Sequence, residues 1–362
     1  MAFPKKLPTA RVLDQASVPR LRWGICGPGW IAERFVAALK AHTQQEILAV
    51  QSSDPGRAKA FADKADIKRS YGRYDMMGDP DVDVIYVATV HPRHLPDALA
   101  AIEAGKHVLV EKPLALNASQ AGELAKLAHA ARRKGVFLME AYWTAFLPKF
   151  DVIRQLLDDG ALGSVRTVIA DHGEWFGPDH RIMRPELAGG PMLDLGTYPV
   201  AFATAVLDLP ERVTASGEDA PSGVNGQASI VLSYPDGAQA VLHTTILSHT
   251  PGDAVISGTQ GMLTIPGRFY TPGPFTVTAN DPTTKLVFDE PRNHDVQLFH
   301  QAVHLAACVA ENKLESPVRT LGDSLATLEV MDEVRRQLGI VFQQEVGYPH
   351  VEGGECAASD IE

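Results

Sequence analysis

The sequence predicts an α/β protein in which a doubly wound parallel sheet is followed by a second α/β domain with a large, mostly antiparallel open sheet. Two observations predict the first sheet. Short apolar strands alternate with amphipathic helices up to about residue 143, and a glycine-rich turn separates the first strand from the first helix. A third predicts the second sheet, because the strands beyond residue 165 are longer and alternate apolar with polar side chains.

Composition excludes several classes of protein. The chain has 362 residues, enough for about two domains. Its 33 basic and 44 acidic residues give a net charge of −11, which disfavours nucleic acids and anionic membranes. No apolar run approaches the roughly 18 residues of a membrane span, and the 3 cysteines are widely spaced. We therefore expect a cytoplasmic protein that binds neither nucleic acid nor a membrane. The spacing of its His, Asp and Glu residues indicates no metal site.

The elements of the first domain follow one another as strand and helix. Apolar runs predict buried strands, and recurrences at helical spacing predict the helices between them. The predicted strands are 21–26, 47–50, 82–88, 107–110 and 136–140, and the predicted helices are 30–39, 57–65, 94–104 and 117–134.

The second domain is predicted from alternating strands and two closing helices. The clearest strands, 228–234 and 239–246, are joined through Pro235-Asp236-Gly237 as an antiparallel hairpin. Helices are expected at 294–312 and 321–338. The predicted organisation is an N-terminal arm 1–20, a nucleotide-binding domain 21–143, a substrate and dimerisation domain 144–345 and an acidic tail 346–362.

A dinucleotide-binding fingerprint joins the first strand to the first helix. Gly27-Pro28-Gly29-Trp30-Ile31-Ala32 fits the pattern Gly-x-Gly-x-x-Ala, in which the glycines let backbone N–H groups approach a pyrophosphate at the helix N-terminus. An ordinary tight turn is the alternative. The context on both sides favours a Rossmann domain that binds a nicotinamide dinucleotide.

The end of the second strand predicts which dinucleotide is preferred. An acidic residue there reads the ribose of NAD, but Gln51-Ser52-Ser53 occupies the turn. Uncharged donors with Arg57 nearby favour NADP, although Arg57 is equally consistent with a solvated charge. Asp54 is the alternative ribose reader, and its use would shift the preference to NAD.

Two further motifs carry polar groups suited to chemistry. Glu111-Lys112-Pro113 follows the fourth predicted strand and places an amine at the carboxyl edge of the sheet, where it can lower the pKa of a neighbouring phenol. Asp194 and Tyr198 are four residues apart after a glycine turn, so we expect them on one face of a helix. A capping Asp and a core Tyr are the structural alternative.

Taken together, these residues resemble the glucose-fructose oxidoreductase and inositol dehydrogenase (Gfo/Idh/MocA) family. The resemblance also uses the stretch 88–94, Gly105-Lys106-His107-Val108 and Met139-Glu140-Ala141-Tyr142-Trp143, and it covers about residues 21 to 345. Tyr198, four residues after Asp194, is similar to the branch that includes dimeric dihydrodiol dehydrogenase and NADP-dependent xylose dehydrogenase. Two departures are Ala145 after Thr144, and Ser53, where relatives often have Arg.

The resemblance implies an NAD(P)-dependent enzyme acting on a hydroxyl or carbonyl of a sugar, polyol or trans-dihydrodiol. Lys112 and Tyr198 would be the catalytic pair, oriented by Asp194. Trp143 and Arg181 would contact substrate, and a homodimer would form through the second sheet. The cofactor would contact Gly27, Pro28, Gly29, Trp30, Ile31, Ser52, Ser53, Arg57, Thr89, His91, His94, Glu111 and Lys112. A catalytically silent regulator and a nicotinamide-assisted glycoside hydrolase are the alternative functions.

Overall fold

The computed structural model describes residues 3–131, 135–281, 283–292 and 296–345. It contains a parallel sheet of six strands and a mostly antiparallel sheet of eight, which confirms the predicted fold class. The predicted tail 346–362 and the first two residues of the arm lie outside the described residues.

The first sheet has the strand order β3-β2-β1-β4-β5-β6, with every neighbouring pair parallel. Its strands are β1 Arg22–Cys26, β2 Glu46–Gln51, β3 Arg69–Tyr71, β4 Val84–Val87, β5 His107–Glu111 and β6 Leu138–Ala141. Because the chain order reverses between β1 and β4, a crevice is expected outside the carboxyl ends of those two strands.

Four helices connect these strands. They are α1 Trp30–His42, α2 Pro55–Ala65, α3 His94–Glu103 and α4 Ala118–Ala131. Phe35 and Leu39 of α1 are fully buried against the sheet, and the Phe35 ring stacks on Tyr86 of β4 at 4.0 Å. This packing fixes the N-terminus of α1 beside the end of β1. Residues 132–134 of the predicted fourth helix lie outside the described residues.

The second sheet has the order β14-β13-β12-β11-β7-β10-β9-β8. All its neighbouring pairs are antiparallel except β7 with β10, and β9 with β10 forms the predicted hairpin. Its strands are β7 Val165–Gly173, β8 Arg212–Asp219, β9 Asn225–Ser233, β10 Gln239–Thr245, β11 Ala254–Gly258, β12 Gly261–Ile265, β13 Phe275–Ala279 and β14 Lys285–Phe288.

The two faces of the second sheet differ in what covers them. One face buries Val168, Leu242 and Leu263, with α6 Thr197–Leu207 packed on its centre. On the other face, cross-strand pairing aligns one β-branched side chain from each strand. This row consists of Thr214, Val231, Val241, Ile169, Val255, Thr264, Thr276 and Val287. Ile169 is 47% exposed and Val287 54%, so the face is open in the single chain.

Three further helices complete the fold. They are α5 Pro148–Asp158, α7 Phe299–Ala310 and α8 Leu321–Leu338. Although α7 follows the second sheet in sequence, it packs on α1, and Phe299 and Leu305 join the core of the first sheet. Its predicted start at residue 294 lies outside the described residues.

A buried ion pair links β6 to the segment just before α8. The guanidinium of Arg319 contacts Glu140 Oε2 at 2.9 Å, and both side chains are at most 4% exposed. Ser324 of α8 donates to the same oxygen at 2.7 Å. Residues far apart in sequence therefore fasten the first sheet to the closing helix. In the described part of the chain, no helix is both long and apolar enough to cross a membrane.

Candidate active site

A cleft of about 670 Å³ opens at the carboxyl ends of β1, β4 and β5. Loops of the first sheet line one side, and residues after β7, before α6 and after β12 line the other. The volume lies within the range typical of small-molecule sites. All the predicted site residues line it: Gly27, Pro28, Gly29, Trp30, Ile31, Ser52, Ser53, Arg57, Thr89, His91, His94, Glu111, Lys112, Trp143, Arg181, Asp194 and Tyr198.

The glycine turn is shaped for a close ligand. Gly27 has φ +95°, and a Cβ there would come within 2.8 Å of the Thr89 methyl group. A Cβ on Gly29 would have no described atom within 4 Å, so that position borders open space in the cleft. No side chain of the described residues caps the first turn of α1. Its N–H groups are therefore suited to the pyrophosphate of a dinucleotide.

Several arginines line the cleft together with the residues expected to contact the ribose of a dinucleotide. Ser52, Ser53 and Arg57 line it as expected, and Arg34 and Arg73 join them. Asp54 instead caps α2, since its Oδ1 accepts from the N–H groups of Gly56 and Arg57 at 2.7 and 3.3 Å. The alternative in which Asp54 reads the ribose is therefore not supported by its contacts. Arg34 and Arg73 were missed because neither lies in the fingerprint.

The loop after β4 contributes two histidines with different roles. The ring nitrogens of His94 lie 2.8 Å from the Pro113 carbonyl and 3.1 Å from the Thr89 carbonyl. His94 thus lies between two loop carbonyls, and because burial lowers its pKa the neutral ring has one N–H, which donates to only one of them at a time. Its contact with a cofactor stays a prediction. His91 Nδ1 is buried without a partner among the described residues. Burial lowers the pKa of His91 to about 3, so its ring is neutral.

Glu111 lies at the end of β5 beneath the cleft. Its Oε1 accepts from the Tyr86 hydroxyl at 2.5 Å, and its Oε2 accepts from the Lys112 N–H at 3.2 Å. Burial raises the pKa of Glu111 to about 7, so the carboxyl is partly protonated at neutral pH. These bonds hold β4, β5 and the following lysine in one arrangement.

Lys112 reaches across to the second half of the molecule. Its Nζ donates to the Asp194 carbonyl at 2.6 Å and lies 4.0 Å from Asp194 Oδ1. Arg181 holds the same carboxylate through two hydrogen bonds of 2.9 and 3.0 Å. Burial alone would raise the pKa of Asp194, but the cations Arg181 and Lys112 contribute to lowering it below its ordinary value. Asp194 is therefore a charged anchor for two cations.

The segment before α6 is not an ordinary helix. Met192–Gly196 forms a wider π-helical turn, a feature often found at functional sites. Asp194 lies in this turn and Tyr198 in the first turn of α6, and both side chains line the cleft, so their expected convergence on one ligand stays a prediction. The two residues are joined through Lys112, whose Nζ lies 4.8 Å above the centre of the Tyr198 ring.

Tyr198 is enclosed by aromatic side chains. Trp143 Nε1 donates to its hydroxyl at 3.3 Å, and the Tyr270 and His172 rings lie 4.4 and 5.4 Å from its ring. Burial and the nearby Glu111 raise the pKa of Tyr198 well above its ordinary value. The expectation of a lowered phenol pKa is therefore wrong for this arrangement, because Lys112 lies over the ring face and is shared with Asp194.

The far wall of the cleft was not predicted from sequence. It brings together polar and aromatic side chains from distant segments: His172, Glu174, Phe176, His180, Arg268, Tyr270 and Thr271. A weak signal existed in His172 and Glu174, which alternate at the end of a strand. Among the described residues, no cluster of three or more His, Cys, Asp or Glu could hold a metal ion.

Comparison with protein-family models shows which family the chain belongs to. Residues 21–142 match the Gfo/Idh/MocA model described as "Oxidoreductase family, NAD-binding Rossmann fold", and residues 150–264 match the "GFO/IDH/MocA C-terminal domain". The chain belongs to the Gfo/Idh/MocA family. This confirms the resemblance found in the motifs. The protein is an NAD(P)-dependent oxidoreductase.

Similar proteins in vertebrates match this chain over nearly their whole length. Trans-1,2-dihydrobenzene-1,2-diol dehydrogenase of Xenopus tropicalis is 37% identical over 333 residues, covering 89% of this chain and 99% of the relative. The protein of the same name from Danio rerio is 36% identical over 335 residues, covering 90% of this chain and 99% of the relative. The similarity therefore includes both sheets.

Solved structures of similar proteins have the same fold. KijD10, a 3-ketoreductase from Actinomadura kijaniata in complex with NADP and TDP-benzene, has TM-score 0.76 and 26% identity, over 88% of this chain and 98% of that one. Aldose-aldose oxidoreductase from Caulobacter crescentus has TM-score 0.77 and 26% identity, over 88% and 97%. A levoglucosan dehydrogenase at 18% identity supports the fold alone, with TM-score 0.78 over 89% of this chain and 98% of that one.

Proposed function

We propose that this oxidoreductase is NADP-dependent and interconverts a hydroxyl and a carbonyl on a sugar, polyol or trans-dihydrodiol. The observation that carries the proposal is the contact of Lys112 with Tyr198 in the same cleft as the glycine turn. The names of similar proteins, a trans-1,2-dihydrobenzene-1,2-diol dehydrogenase, a 3-ketoreductase and an aldose-aldose oxidoreductase, support this substrate class.

The chain supplies the proton chemistry for such a reaction. Bound nicotinamide would supply the hydride acceptor or donor. Tyr198 keeps its proton at neutral pH because burial raises its pKa, so its hydroxyl can donate to a carbonyl oxygen as that oxygen gains charge. In the reverse direction Tyr198 would first release its proton to solvent, with the Lys112 ammonium stabilising the phenolate, and the phenolate oxygen would then accept the alcohol proton.

Lys112 and its partners position the reacting oxygen. The Lys112 ammonium lies over the Tyr198 ring and stabilises negative charge that develops beside it. Asp194 holds Lys112 through its carbonyl and fixes Arg181 through its carboxylate. Lys112 and Tyr198 are thus assigned contact with substrate, Trp143 directs the phenol, and Asp194 positions the cations.

The preference for NADP rests on the ribose end of the cleft. A 2′-phosphate there would meet Ser52, Ser53, Arg57 and Arg73, while Asp54 is used as a helix cap. Arginine forks match phosphate geometry. Titration of both oxidised cofactors against tryptophan fluorescence should give tighter binding of NADP.

An arginine pair provides a matched test of that preference. Replacing Arg57 and Arg73 together by Ala should weaken NADP binding roughly 10- to 100-fold and leave NAD binding nearly unchanged. Lys64→Ala, on the same helix as Arg57 but outside the cleft, should change neither. Tighter binding of NAD by the unaltered protein would contradict the proposal.

We also propose a homodimer through the open face of the second sheet. The row of β-branched side chains, five of them Val or Ile and three Thr, crosses all eight strands, and apolar side chains grouped on one exposed face favour an interface. A cytoplasmic location stays a prediction, supported by Cys26 and Cys308, which are buried and unpaired.

A further inference from the structure

A carboxylate on the far wall of the cleft is held through only one of its oxygens. Glu174 directly follows β7, and its Oε1 accepts from the Tyr270 hydroxyl at 3.0 Å. His172 Nε2 lies 3.2 Å from Oε1, and Arg268 Nη2 lies 3.8 Å from it. None of these contacts with described residues uses Oε2. The side chain lines the cleft and is 26% exposed.

The carboxylate is charged and can only accept. The hydrogen bond from His172 lowers the pKa of Glu174 to about 2, with further lowering by Arg268 and Tyr270. Burial lowers the pKa of His172, so the imidazole is neutral and carries its proton on Nε2. Oε2 is thus an acceptor with a fixed direction, because the other oxygen is held by two donors.

The rings of His172 and Tyr270 connect the Glu174 carboxylate to Tyr198, the proposed proton carrier. The His172 ring stacks on Tyr270 at 4.2 Å, and both rings contact Tyr198. A ring-shaped substrate bound against these aromatic faces would have its reacting oxygen at Tyr198 and its other substituents toward Glu174.

We propose that Glu174 determines specificity, because its Oε2 accepts a hydrogen bond from a second hydroxyl of the substrate. The enzyme would then select cyclic compounds with at least two hydroxyl groups over simple secondary alcohols and their ethers. This inference rests on the proposed function of Tyr198, which places the first hydroxyl. Arg268 contributes by keeping the carboxylate charged rather than by binding substrate.

A single isosteric substitution tests the inference. In Glu174→Gln, the donors Tyr270 and His172 hold the amide oxygen, so the amide nitrogen replaces Oε2 and presents only donors. A substrate hydroxyl loses its acceptor, whereas an ether oxygen gains a donor. The matched probes are trans-cyclohexane-1,2-diol and its monomethyl ether, which keeps one reacting hydroxyl.

The expected result is a change in the preference between these two probes. The ratio of kcat/KM for the diol to that for the ether should fall roughly 10- to 100-fold in Glu174→Gln, mainly through KM. Glu174→Asp keeps the charge but withdraws Oε2 by one methylene, and it should also lower the ratio. Glu186→Gln, an exposed acid paired with Arg184 on the neighbouring loop, should leave the ratio unchanged.

Binding to the enzyme with NADPH, measured by calorimetry, separates this inference from the proposed function. If the wild type oxidises neither probe, the proposed activity fails for this substrate class, and the calorimetric preference for the diol decides the role of Glu174. An unchanged diol-to-ether preference in both Glu174 variants, in turnover or in binding, would overturn the inference. Loss of the preference in both, with NADPH affinity retained, supports it.

Discussion

At the scale of single residues, the two glycines of the fingerprint have separable duties. Gly27 has a positive φ and almost touches Ala88 and Thr89, so its role is to let the backbone turn. Gly29 has φ −99°, which any residue adopts, and it borders open space. Its role is to leave room for a ligand.

Replacing each glycine by alanine should therefore affect a different property, stability at Gly27 and cofactor affinity at Gly29. Gly27→Ala should destabilise the fold by at least about 1 kcal/mol because it adds strain and a clash. Gly29→Ala should cost less than about 1 kcal/mol of stability but weaken NADPH binding at least tenfold, since its Cβ occupies ligand space. Urea unfolding and fluorescence titration measure the two effects. Equal NADPH affinity in Gly29→Ala and the wild type would show that the pyrophosphate lies elsewhere.

The sequence predicts the site residues only where a local motif marks them. The glycine turn, Lys112 and Tyr198 all line the cleft, because each follows a strand or a glycine turn that fixes its place. Glu174 and Tyr270 meet through the pairing of distant strands, which no spacing reveals. The four-residue spacing of Asp194 and Tyr198 did not reveal that the turn before α6 is π-helical, although both residues line the cleft.

At the scale of elements, α7 carries two histidines that are largely shielded from solvent. Burial lowers the pKa of His300 and of His304 to about 4, and the nearby cations Lys313 and Arg154 contribute to the lowering at His304. His304 Nε2 also lies 2.9 Å from Ser316 Oγ. Both rings are therefore neutral in the folded protein at neutral pH.

The stability of the protein should accordingly fall in mild acid. The unfolded chain binds these protons below about pH 6.5 and the folded chain only near pH 4. As the pH falls across that window, each histidine therefore lowers the free energy of unfolding by up to about 3 kcal/mol. Urea unfolding at pH 7 and pH 5 should show a shallower loss for His304→Asn than for the wild type. The exposed His249→Asn is the control. Identical pH slopes for all three proteins would contradict the buried neutral state.

At the scale of the whole molecule, the alternating pattern of strands and helices was sufficient to predict both sheets. The parallel sheet follows from apolar runs buried on both faces. Strand β3 was not predicted because it is three residues long and contains Arg69 and Ser70. The packing of α7 on α1 was not predicted either, because the apolar face of α7 does not show in the sequence which domain it packs against.

A single charged substitution tests the proposed dimer interface on the open face of the second sheet. Val241 is 45% exposed at the centre of the row, between Val231 and Ile169. Val241→Glu should convert a dimer into a monomer at micromolar concentration, because an unpaired charge would be buried between the sheets. Light scattering measures the mass. Val341→Glu, at a 74% exposed site outside the sheet, should remain dimeric. A wild type that is monomeric would contradict the proposed interface.

The central claim is that Tyr198 carries the proton beside Lys112 in an NADP-dependent reaction. The most direct test compares NADPH formation by the wild type and Tyr198→Phe, using NADP and trans-1,2-dihydrobenzene-1,2-diol, the compound named for the relatives. The account predicts a turnover at least about 100-fold lower in Tyr198→Phe, with NADPH affinity unchanged. Turnover close to that of the wild type would contradict it and place the proton carrier elsewhere in the cleft.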